Sequence, residues 1–499
     1  MKEINPIAAQ IANSPSAKLA AKLASSPAAK AAMQMTNNPM VKAATQMANN
    51  PMVKAATRIS RIAQPYAEAL QKFSHIEWVG KIPMNWELAR MKNVGEYING
   101  YAFKPDDWSN YGLPIIRIQD LTGSSENPNY YDGVLDDKYK VLSGDILVSW
   151  AATLDAFTWT KHTGWLNQHI FKAIPNTNKI EKKFFIFLAK EAMQHMNNDN
   201  KHGIVMQHVT LGMFNNFKVP LPPLSEQQAI ADYLDEECAR IDGIVTTQRQ
   251  IIERLKEYKK SVITEAVTCG LNPDTPMKDS GIDWIGKIPK HWEICRMRTL
   301  GKFTSSGIDK KINPEEPLVR IINYTDVYGN KTCTLENKDY MTVSAPASKI
   351  KENLVQKGDL IFTPSSETIE DIGLSALVNT NLEHTAFSYH VLRFAFSKDF
   401  YHQYKKYLCN NHYVLNYFSA NAKGTVRQTL DRDDFKSCQV IVPPLLEQQA
   451  IADYLDKECA HIDTIIEKRE RMIELMTEYK KSLIYECVTG KKEIVDVVE

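Results

Sequence analysis

The chain contains two copies of one sequence pattern, and this duplication constrains its fold more than any other feature. Residues 76–97 (IEWVGKIPMNWELARMKNVGEY) match residues 282–303 (IDWIGKIPKHWEICRMRTLGKF). Residues 222–268 match residues 443–489 at about 30 of 47 aligned positions. A repeat of this length and similarity implies two structural units of one design. We therefore predict a pseudo-twofold internal repeat.

The two stretches enclosed by these shared segments have diverged, and each has a mixed α/β pattern. Strand candidates are LPIIRIQDL and GDILVSW in the first stretch, and PLVRIINYTDV and GDLIFT in the second. Each stretch has a Gly-Asp pair typical of a turn before an apolar strand, Gly144-Asp145 and Gly358-Asp359. We predict two α/β (α+β) domains, at residues 76–221 and 271–442.

A long helix is predicted after the Pro-Pro pair of each copy, within residues 222–270 and 443–499. The first helix should begin near Ser225, because the prolines block helix upstream and Ser225 and Gln228 have capping-box spacing. In the second copy Leu446 replaces the serine and weakens that start. Apolar residues recur at spacings of three and four, which indicates a coiled-coil seam. The predicted seam residues are Ile241, Ile244, Ile251, Leu255, Tyr258, Val262, Ile462, Ile465, Met472, Met476, Tyr479 and Leu483.

Two such helices in one chain favour an antiparallel intramolecular pair. A helix from Ser225 to Thr268 would be roughly 65 Å long, which is more than packing inside one domain requires. We therefore predict that two long antiparallel coiled-coil helices separate the two α/β domains. The alternative is that the helices dimerise with another chain.

The N-terminal segment, residues 1–75, carries a second and shorter repeat. Prolines recur every 12 residues, each after Asn or Ser, which predicts short helical pieces with proline in the first turn. The segment has nine Lys or Arg residues against Glu3 and Glu68. We expect a basic, Ala-rich, solvated helical extension. Contact with nucleic acid or with an acidic partner is the alternative.

Composition restricts the location and the partners of the chain. The sequence has 499 residues, which is long enough for several domains, and 60 Lys plus Arg against 59 Asp plus Glu. With a net charge of +1, attraction to nucleic acid must come from local patches or from a partner. No apolar run is long enough to span a membrane, and there is no signal-peptide pattern. We expect a cytoplasmic protein with no membrane contact, whose eight cysteines are free thiols.

Catalytic machinery is not recognisable in the sequence. There is no GxxxxGK[ST] phosphate loop, no HExxH and no CxxC pair. The NPNY sequence at Asn127–Tyr130 is one residue away from the Asn-Pro-Pro-Tyr loop of amino-methyltransferases, but no Gly-rich strand-to-helix loop precedes it, and a turn is favoured. The histidines lack ligand spacing. We therefore expect no catalytic residue, metal site or cofactor in this chain.

The motif order resembles the DNA-specificity subunit of type I restriction-modification systems. W-x-G-x-I-P-x-x-W opens each half and PPL-x-EQQ-x-I-A-x-Y-L-D opens each long helix, over roughly residues 76–490. The resemblance implies two target-recognition domains, each binding one half of a bipartite double-stranded DNA site. It also implies two methyltransferase (modification) subunits and restriction motor-endonuclease subunits as partners, in which S-adenosylmethionine, ATP and Mg²⁺ would be bound. Residues 1–75 depart from the family pattern.

Base recognition requires Arg, Lys, Asn or Gln on loops of the two diverged blocks. Two anchors match between the blocks: Arg117 with Arg320, and Gly203-x-Val205-x-Gln207 with Gly424-x-Val426-x-Gln428. The DNA-binding candidates are Arg117, Gln168, Lys201, Gln207, Arg320, Lys423, Arg427 and Gln428. Each could instead contact phosphate or have a structural role. Two other functions stay open, a coiled-coil scaffold without DNA recognition and a nuclease or methyltransferase with unrecognised motifs.

Overall fold

A computed structural model describes residues 71–124, 127–199, 209–282, 285–330 and 332–494. These residues form two compact units. Unit A contains residues 71–248 and 471–494, and unit B contains residues 249–470. Most of the N-terminal extension, residues 1–70, lies outside the described residues, as do Lys201 and Gln207.

Unit A has short strands and helices that lead into the first long helix. Its strands are β1 (Gln71–Phe73), β2 (Lys81–Pro83), β3 (Glu87–Arg90), β4 (Gly95–Asn99), β5 (Leu113–Ile116), β6 (Tyr130–Tyr131), β7 (Lys140–Val141), β8 (Ile146–Ser149), β9 (Asp155–Thr158), β10 (Gly164–Leu166), β11 (Ile170–Pro175) and β12 (Lys218–Leu221). Its helices are α1 (Met91–Val94), α2 (Ile118–Thr122), α3 (Lys182–Asp199) and α4 (Leu211–Asn216), followed by α5 (Leu224–Cys269), which continues into unit B.

Unit B follows the same plan. Its strands are β13 (Met277–Asp279), β14 (Lys287–Pro289), β15 (Glu293–Arg296), β16 (Gly301–Ser305), β17 (Leu318–Ile322), β18 (Thr334–Leu335), β19 (Met341–Ser344), β20 (Leu360–Phe362), β21 (Ser365–Ser366), β22 (Ser375–Val378), β23 (Thr385–Phe387), β24 (Leu392–Phe396), β25 (Gln428–Thr429) and β26 (Gln439–Val442). Its helices are α6 (Tyr324–Val327), α7 (Ala347–Asn353), α8 (Lys405–Cys409), α9 (His412–Asn421) and α10 (Arg432–Ser437), followed by α11 (Leu445–Val488), which continues into unit A.

The sheets of the two units correspond in order. In unit A one sheet runs β4-β11-β8-β9 and another runs β6-β5-β10-β7, in which β5 and β10 are parallel. In unit B the equivalents run β16-β24-β20-β22-β18 and β19-β17-β23, in which β17 and β23 are parallel. Each unit also pairs the strand before its first helical turn with the strand before its long helix, β3 with β12 and β15 with β26. The two units therefore share their central strand order, although β18 extends the first sheet only in unit B and β7 extends the second only in unit A.

The Gly-Asp turns have the predicted geometry in both units. Gly144 and Gly358 have φ angles of 95° and 96°, where a side chain would be strained. The carboxylates of Asp145 and Asp359 accept hydrogen bonds from backbone N–H groups three residues upstream, at 2.8 Å in each case. The apolar strands β8 and β20 begin directly after these turns.

Two of the strand candidates end earlier than their apolar sequence suggests. The strand β5 stops at Ile116, because the Arg117 N–H donates to the Asp120 carboxylate at 2.8 Å and begins helix α2. The strand β17 stops at Ile322, where the Asn323 N–H makes the same bond to Asp326 at 2.8 Å. A local cap therefore overrides strand propensity in both units.

The long helices contribute to the cores of both units. Ile230 and Leu234 of α5, with Leu483 of α11, are buried in the core of unit A. Val262 of α5 and Leu455 of α11 are buried in the core of unit B. The aromatic centre of unit A consists of Trp86, Phe171, Phe184, Phe185 and Phe214, and that of unit B consists of Trp292, Phe362, Phe394, Phe418 and Phe435. None of the helices formed by described residues combines the length and apolar composition needed to cross a bilayer.

Candidate functional site

The two signature motifs of the repeat contact one another in each unit. In unit A the indole Nε1 of Trp86 donates to Glu226 Oε1 at 2.8 Å. In unit B the indole Nε1 of Trp292 donates to Glu447 Oε2 at 3.0 Å. Both indoles are buried, so an unpaired N–H would be costly. The second tryptophan of W-x-G-x-I-P-x-x-W and the glutamate of PPL-x-EQQ therefore join each domain to its long helix.

The first glutamine of each EQQ sequence makes a second set of hydrogen bonds between the long helix and its domain. Gln227 is fully buried; its Nε2 donates to the carbonyls of Pro222 at 2.8 Å and Lys179 at 3.1 Å, and its Oε1 accepts from the Glu181 N–H at 2.8 Å. Its equivalent in unit B, Gln448, donates to the Pro443 carbonyl and accepts from the Tyr401 N–H, both at 2.9 Å. The two long helices begin at equivalent residues, α5 at Leu224 and α11 at Leu445, so the replacement of Ser225 by Leu446 does not shift the start.

An ion pair joins the two long helices within each unit. In unit A, Lys480 Nζ lies 2.6 Å from Asp242 Oδ2. In unit B, Lys259 Nζ lies 2.7 Å from Asp463 Oδ2. The two pairs are equivalent, with the roles of the two helices swapped. Asp242 of α5 corresponds to Asp463 of α11, and Lys259 of α5 corresponds to Lys480 of α11. Sequence reasoning missed both pairs, although the residues recur at matching places in the two helices.

The predicted seam residues differ in burial. Tyr479 is 44% exposed. Three residues of the long helices that were not predicted as seam residues are buried: Val245, Ile252 and Ile466. Among the predicted residues the buried ones are Ile241, Ile251, Val262, Ile462 and Leu483, and the half-buried ones are Ile244, Leu255, Tyr258, Ile465, Met472 and Met476. The coiled-coil seam stays a prediction.

The two candidate arginines Arg117 and Arg320 do not occupy equivalent places, so the predicted match between them is wrong. The parallel register pairs Ile116 with Leu166 in unit A and Ile322 with Phe387 in unit B, which aligns Arg117 with Asn323. The error arose because two short apolar strands can be aligned in several registers by sequence alone.

Both guanidinium groups contact their own domain. Arg117 Nη2 donates to the Asn127 carbonyl at 2.9 Å, and its Nε lies 3.6 Å from Asp120 Oδ2. Arg320 donates to the Asn337 side chain at 3.3 Å and to the Glu383 carbonyl. These contacts give each arginine a structural role in holding a loop.

Gln168 lies in the turn between β10 and β11. Its backbone carbonyl accepts from Trp150 Nε1 at 3.0 Å, and its side-chain Nε2 lies 3.3 Å from His169 Nε2. Val209 is the first described residue after residues 200–208, and its N–H donates to the Trp150 carbonyl at 3.1 Å. Val209 and Gln168 therefore both contact Trp150, while Lys201 and Gln207 lie outside the described part of the chain.

Three candidates of unit B lie together in one turn, residues 423–429. The Lys423 and Thr429 backbones bond to each other, with Lys423 N–H to Thr429 O at 2.9 Å and the reverse at 2.8 Å. Lys423 Nζ lies 2.7 Å from Asp431 Oδ2, and both side chains are exposed. Arg427 is exposed and Gln428 is half-buried. Strand β25, which ends this turn, pairs with β21.

The Arg427 side chain contacts an aromatic ring and a serine hydroxyl. The guanidinium lies 5.8 Å from the centre of the Tyr324 ring, and its Nε donates to Ser365 Oγ at 3.2 Å. Partial burial lowers the pKa of His390 below its ordinary value, and the nearby cations Lys310 and Arg427 lower it further. The exposed donors of Lys423 and Arg427 suit contacts with a polyanion.

Five of the eight cysteines are buried, whereas Cys269 is exposed and Cys295 and Cys333 are half-buried. Cys238 and Cys459, which occupy equivalent helix positions, are both 7% exposed. Burial raises the pKa of Cys459 to about 11 and that of Cys487 to about 12. These thiols are therefore protonated at neutral pH and are poor nucleophiles. Within the described ranges, no three His, Cys, Asp or Glu side chains are grouped so that they could hold a metal ion.

Comparison with known proteins finds the same duplication. A family model described as the type I restriction modification DNA specificity domain matches residues 83–262 and again residues 289–475. The EcoBI type I restriction enzyme specificity subunit of Escherichia coli is 22% identical over 424 residues, covering 82% of this chain and 86% of that protein. The putative type I restriction enzyme MjaX specificity subunit of Methanocaldococcus jannaschii is 24% identical over 455 residues, covering 83% and 95%.

A solved chain shares the fold. It comes from work on the structural basis of complex assembly and conformational transition of the type I R-M system, and it aligns with a TM-score of 0.59 at 14% identity. The alignment covers 82% of this chain and 99% of that chain. Since the family model matches most of the sequence, once for each block with its long helix, the chain belongs to the family of the type I restriction modification DNA specificity domain.

Proposed function

We propose that this chain is the DNA-specificity subunit of a type I restriction-modification complex and that each diverged block recognises one half of a bipartite DNA site. The observation that carries this is the double match of the family model, together with two domains of one topology and different surface residues. Two related but diverged domains suit an asymmetric, interrupted target, because each can select its own bases. The domains proposed for this role are residues 76–221 and 271–442.

The chemistry of the complex then belongs to other subunits. Its partners are double-stranded DNA, two methyltransferase subunits and, in a complete restriction complex, motor-endonuclease subunits. S-adenosylmethionine, ATP and Mg²⁺ are bound by those partners, and this chain is not an enzyme. The relatives in the comparisons are themselves named as specificity subunits, which supports this division of labour.

The long helices, within residues 222–270 and 443–499, act as the spacer between the half-sites. We infer that α5 and α11 form an antiparallel coiled coil. Support comes from the exchanged ion pairs, since Asp242 meets Lys480 while Lys259 meets Asp463. As the residue number rises along α5, the number of its partner on α11 falls, as antiparallel helices require. A rigid spacer of this kind would match a fixed separation along the duplex.

The candidate DNA contacts divide by chemistry. Arg117 and Arg320 hold loops through carbonyl groups, so they are proposed to position those loops and to contact phosphate. Gln168, with Lys201 and Gln207 in the adjoining segment, is proposed for the half-site of unit A. Lys423 and Arg427 are proposed for the half-site of unit B, where both side chains are exposed.

Block exchange tests the proposal. The chain is co-purified with its methyltransferase subunit, the methylated sites are sequenced, and residues 76–221 are then replaced by the corresponding block of a relative. We expect one half of the methylated site to change and the other half to stay. The matched control exchanges residues 271–442, which should change the opposite half. If either exchange altered both halves, or neither exchange altered any, independent recognition by the two blocks would be refuted.

A further inference from the structure

A five-residue motif recurs in both blocks, Gly203-x-Val205-x-Gln207 and Gly424-x-Val426-x-Gln428. The two intervening positions differ, with Ile204 and Met206 in the first copy and Thr425 and Arg427 in the second. The second copy is described by the structure and occupies the turn of unit B. The roles of its residues can therefore be assigned there.

The glycine and the glutamine of the motif shape the backbone. Gly424 has a φ of +121°, and a Cβ at this position would lie 2.2 Å from the Arg427 carbonyl oxygen. Gln428 Nε2 donates to the Gly424 carbonyl at 2.9 Å across the turn. This bond uses one N–H of the amide and helps to close the turn. In unit B the motif therefore forms a closed hairpin that presents its three central residues.

The tip of the hairpin presents an apolar side chain to solvent. Val426 is 90% exposed, between the cations Lys423 and Arg427. A single exposed valine is ordinary on a protein surface. This one recurs in the sequence motif of two blocks whose neighbouring residues have diverged, and Val426 lies in a turn closed by hydrogen bonds. An apolar contact flanked by cations fits a thymine methyl group between phosphates.

Arg427 is held in a defined direction. Its Nε bonds to Ser365 and its guanidinium lies over the Tyr324 ring, which leaves the Nη pair for a bidentate contact. In the described part of the chain no carboxylate lies within ion-pair distance of this guanidinium. A guanidinium so placed suits the O6 and N7 acceptors of guanine in the major groove.

We propose, on the basis of the proposed function, that the hairpin 423–429 enters the major groove of the half-site recognised by unit B, where Val426 contacts a thymine methyl group and Arg427 binds a guanine. Gly424 and Gln428 hold the hairpin, and positions 425 and 427 set the preference.

The test uses the complex with its methyltransferase subunit and duplexes that carry its methylated site. In the half-site of unit B, each thymine is replaced in turn by uracil, which lacks only the methyl group. The wild-type complex should bind one uracil duplex about fourfold more weakly, the effect of one buried methyl group. Val426→Ala should remove this difference. The control Val134→Ala, at a valine that is 93% exposed in unit A, should retain it.

Arg427→Met introduces the residue of the first block. It should lose selection at one G·C pair by about tenfold to a hundredfold and leave all other positions unchanged, as measured by sequencing methylated sites. If Val426→Ala still distinguished thymine from uracil, or if Arg427→Met kept the full target, the hairpin assignment would be overturned while the specificity role stood. If the wild-type complex showed no sequence preference, both proposals would be overturned.

Discussion

Replacing Gln227 with methionine tests whether one buried amide fastens the first long helix to its domain. Methionine has a similar length and volume but neither donates nor accepts strongly. The change removes the bonds to the Pro222 and Lys179 carbonyls and to the Glu181 N–H. Gln227 and Pro222 are buried, whereas Lys179 is exposed and Glu181 is half-buried, so the Pro222 carbonyl is the group most costly to leave without a partner.

The expected loss follows from the number of bonds. Each hydrogen bond contributes about 1 kcal/mol net, and a buried group left without a partner costs about 1 to 3 kcal/mol. For the three bonds of Gln227 the free energy of unfolding of unit A should fall by about 3 to 5 kcal/mol. Gln448 makes two such bonds, so Gln448→Met should cost unit B about 2 to 3 kcal/mol.

Hydrogen exchange locates the effect. The Glu181 amide is protected by Gln227 itself, and the Tyr401 amide is protected by Gln448. Gln227→Met should speed exchange at Glu181 by about tenfold or more and leave Tyr401 unchanged, and Gln448→Met should do the reverse. Urea unfolding followed by circular dichroism measures the overall loss of stability.

The adjacent glutamine supplies the control. Gln228 is exposed, and its amide bonds only to Asp232 on the same helix, at 2.8 Å. Gln228→Met should change the free energy of unfolding by less than about 0.5 kcal/mol. If Gln227→Met behaved like Gln228→Met, with Glu181 still protected, the fastening role of the motif would be refuted.

Three further predictions concern charge and spacing. Burial and the neighbouring Asp155 raise the pKa of Glu191 to about 7, so ionisation of this carboxyl group destabilises the folded state. The Glu191→Gln variant should therefore be as stable as wild type near pH 4.5 and more stable by up to about 3 kcal/mol at pH 8. Equal urea midpoints at pH 8 would contradict this. Lys480→Asp should cost about 1 kcal/mol of unfolding free energy through repulsion from Asp242, and adding Asp242→Lys should restore it if the pairing is direct. Inserting four residues near Glu265 lengthens α5 by about 6 Å, so the spacer between the methylated half-sites should grow by about one to two base pairs. An active variant with an unchanged spacer would show that another element sets the distance between the half-sites.

Several features of the fold were predictable because they depend on local sequence patterns. The duplication is visible as identity along the chain, and the long helices follow from their apolar spacing and the prolines that precede them. The helix predicted to begin near Ser225 begins at Leu224, and the Gly-Asp turns lead into β8 and β20. Each of these signals depends on residues within a few positions of one another, so the sequence alone carries it.

The candidate site required tertiary structure. Trp86 and Glu226 are 140 positions apart, and neither local sequence predicts the hydrogen bond between them. The misalignment of Arg117 with Arg320 was corrected only by the register of the parallel strands. The bond from the Gln428 amide to the Gly424 carbonyl became visible only with the conformation of the turn.

What the sequence by itself determined is the duplicated plan of two diverged α/β blocks and two long helices, since composition, periodicity and identity act along the chain. Only the tertiary structure decided which side chains hold the domains to their helices and which are presented at the surface around Arg427. Polar groups choose partners by distance and burial, and both depend on how distant segments pack. The same residue types, Gln and Arg, therefore serve as internal fastenings at Gln227 and Arg117 and as an exposed donor at Arg427.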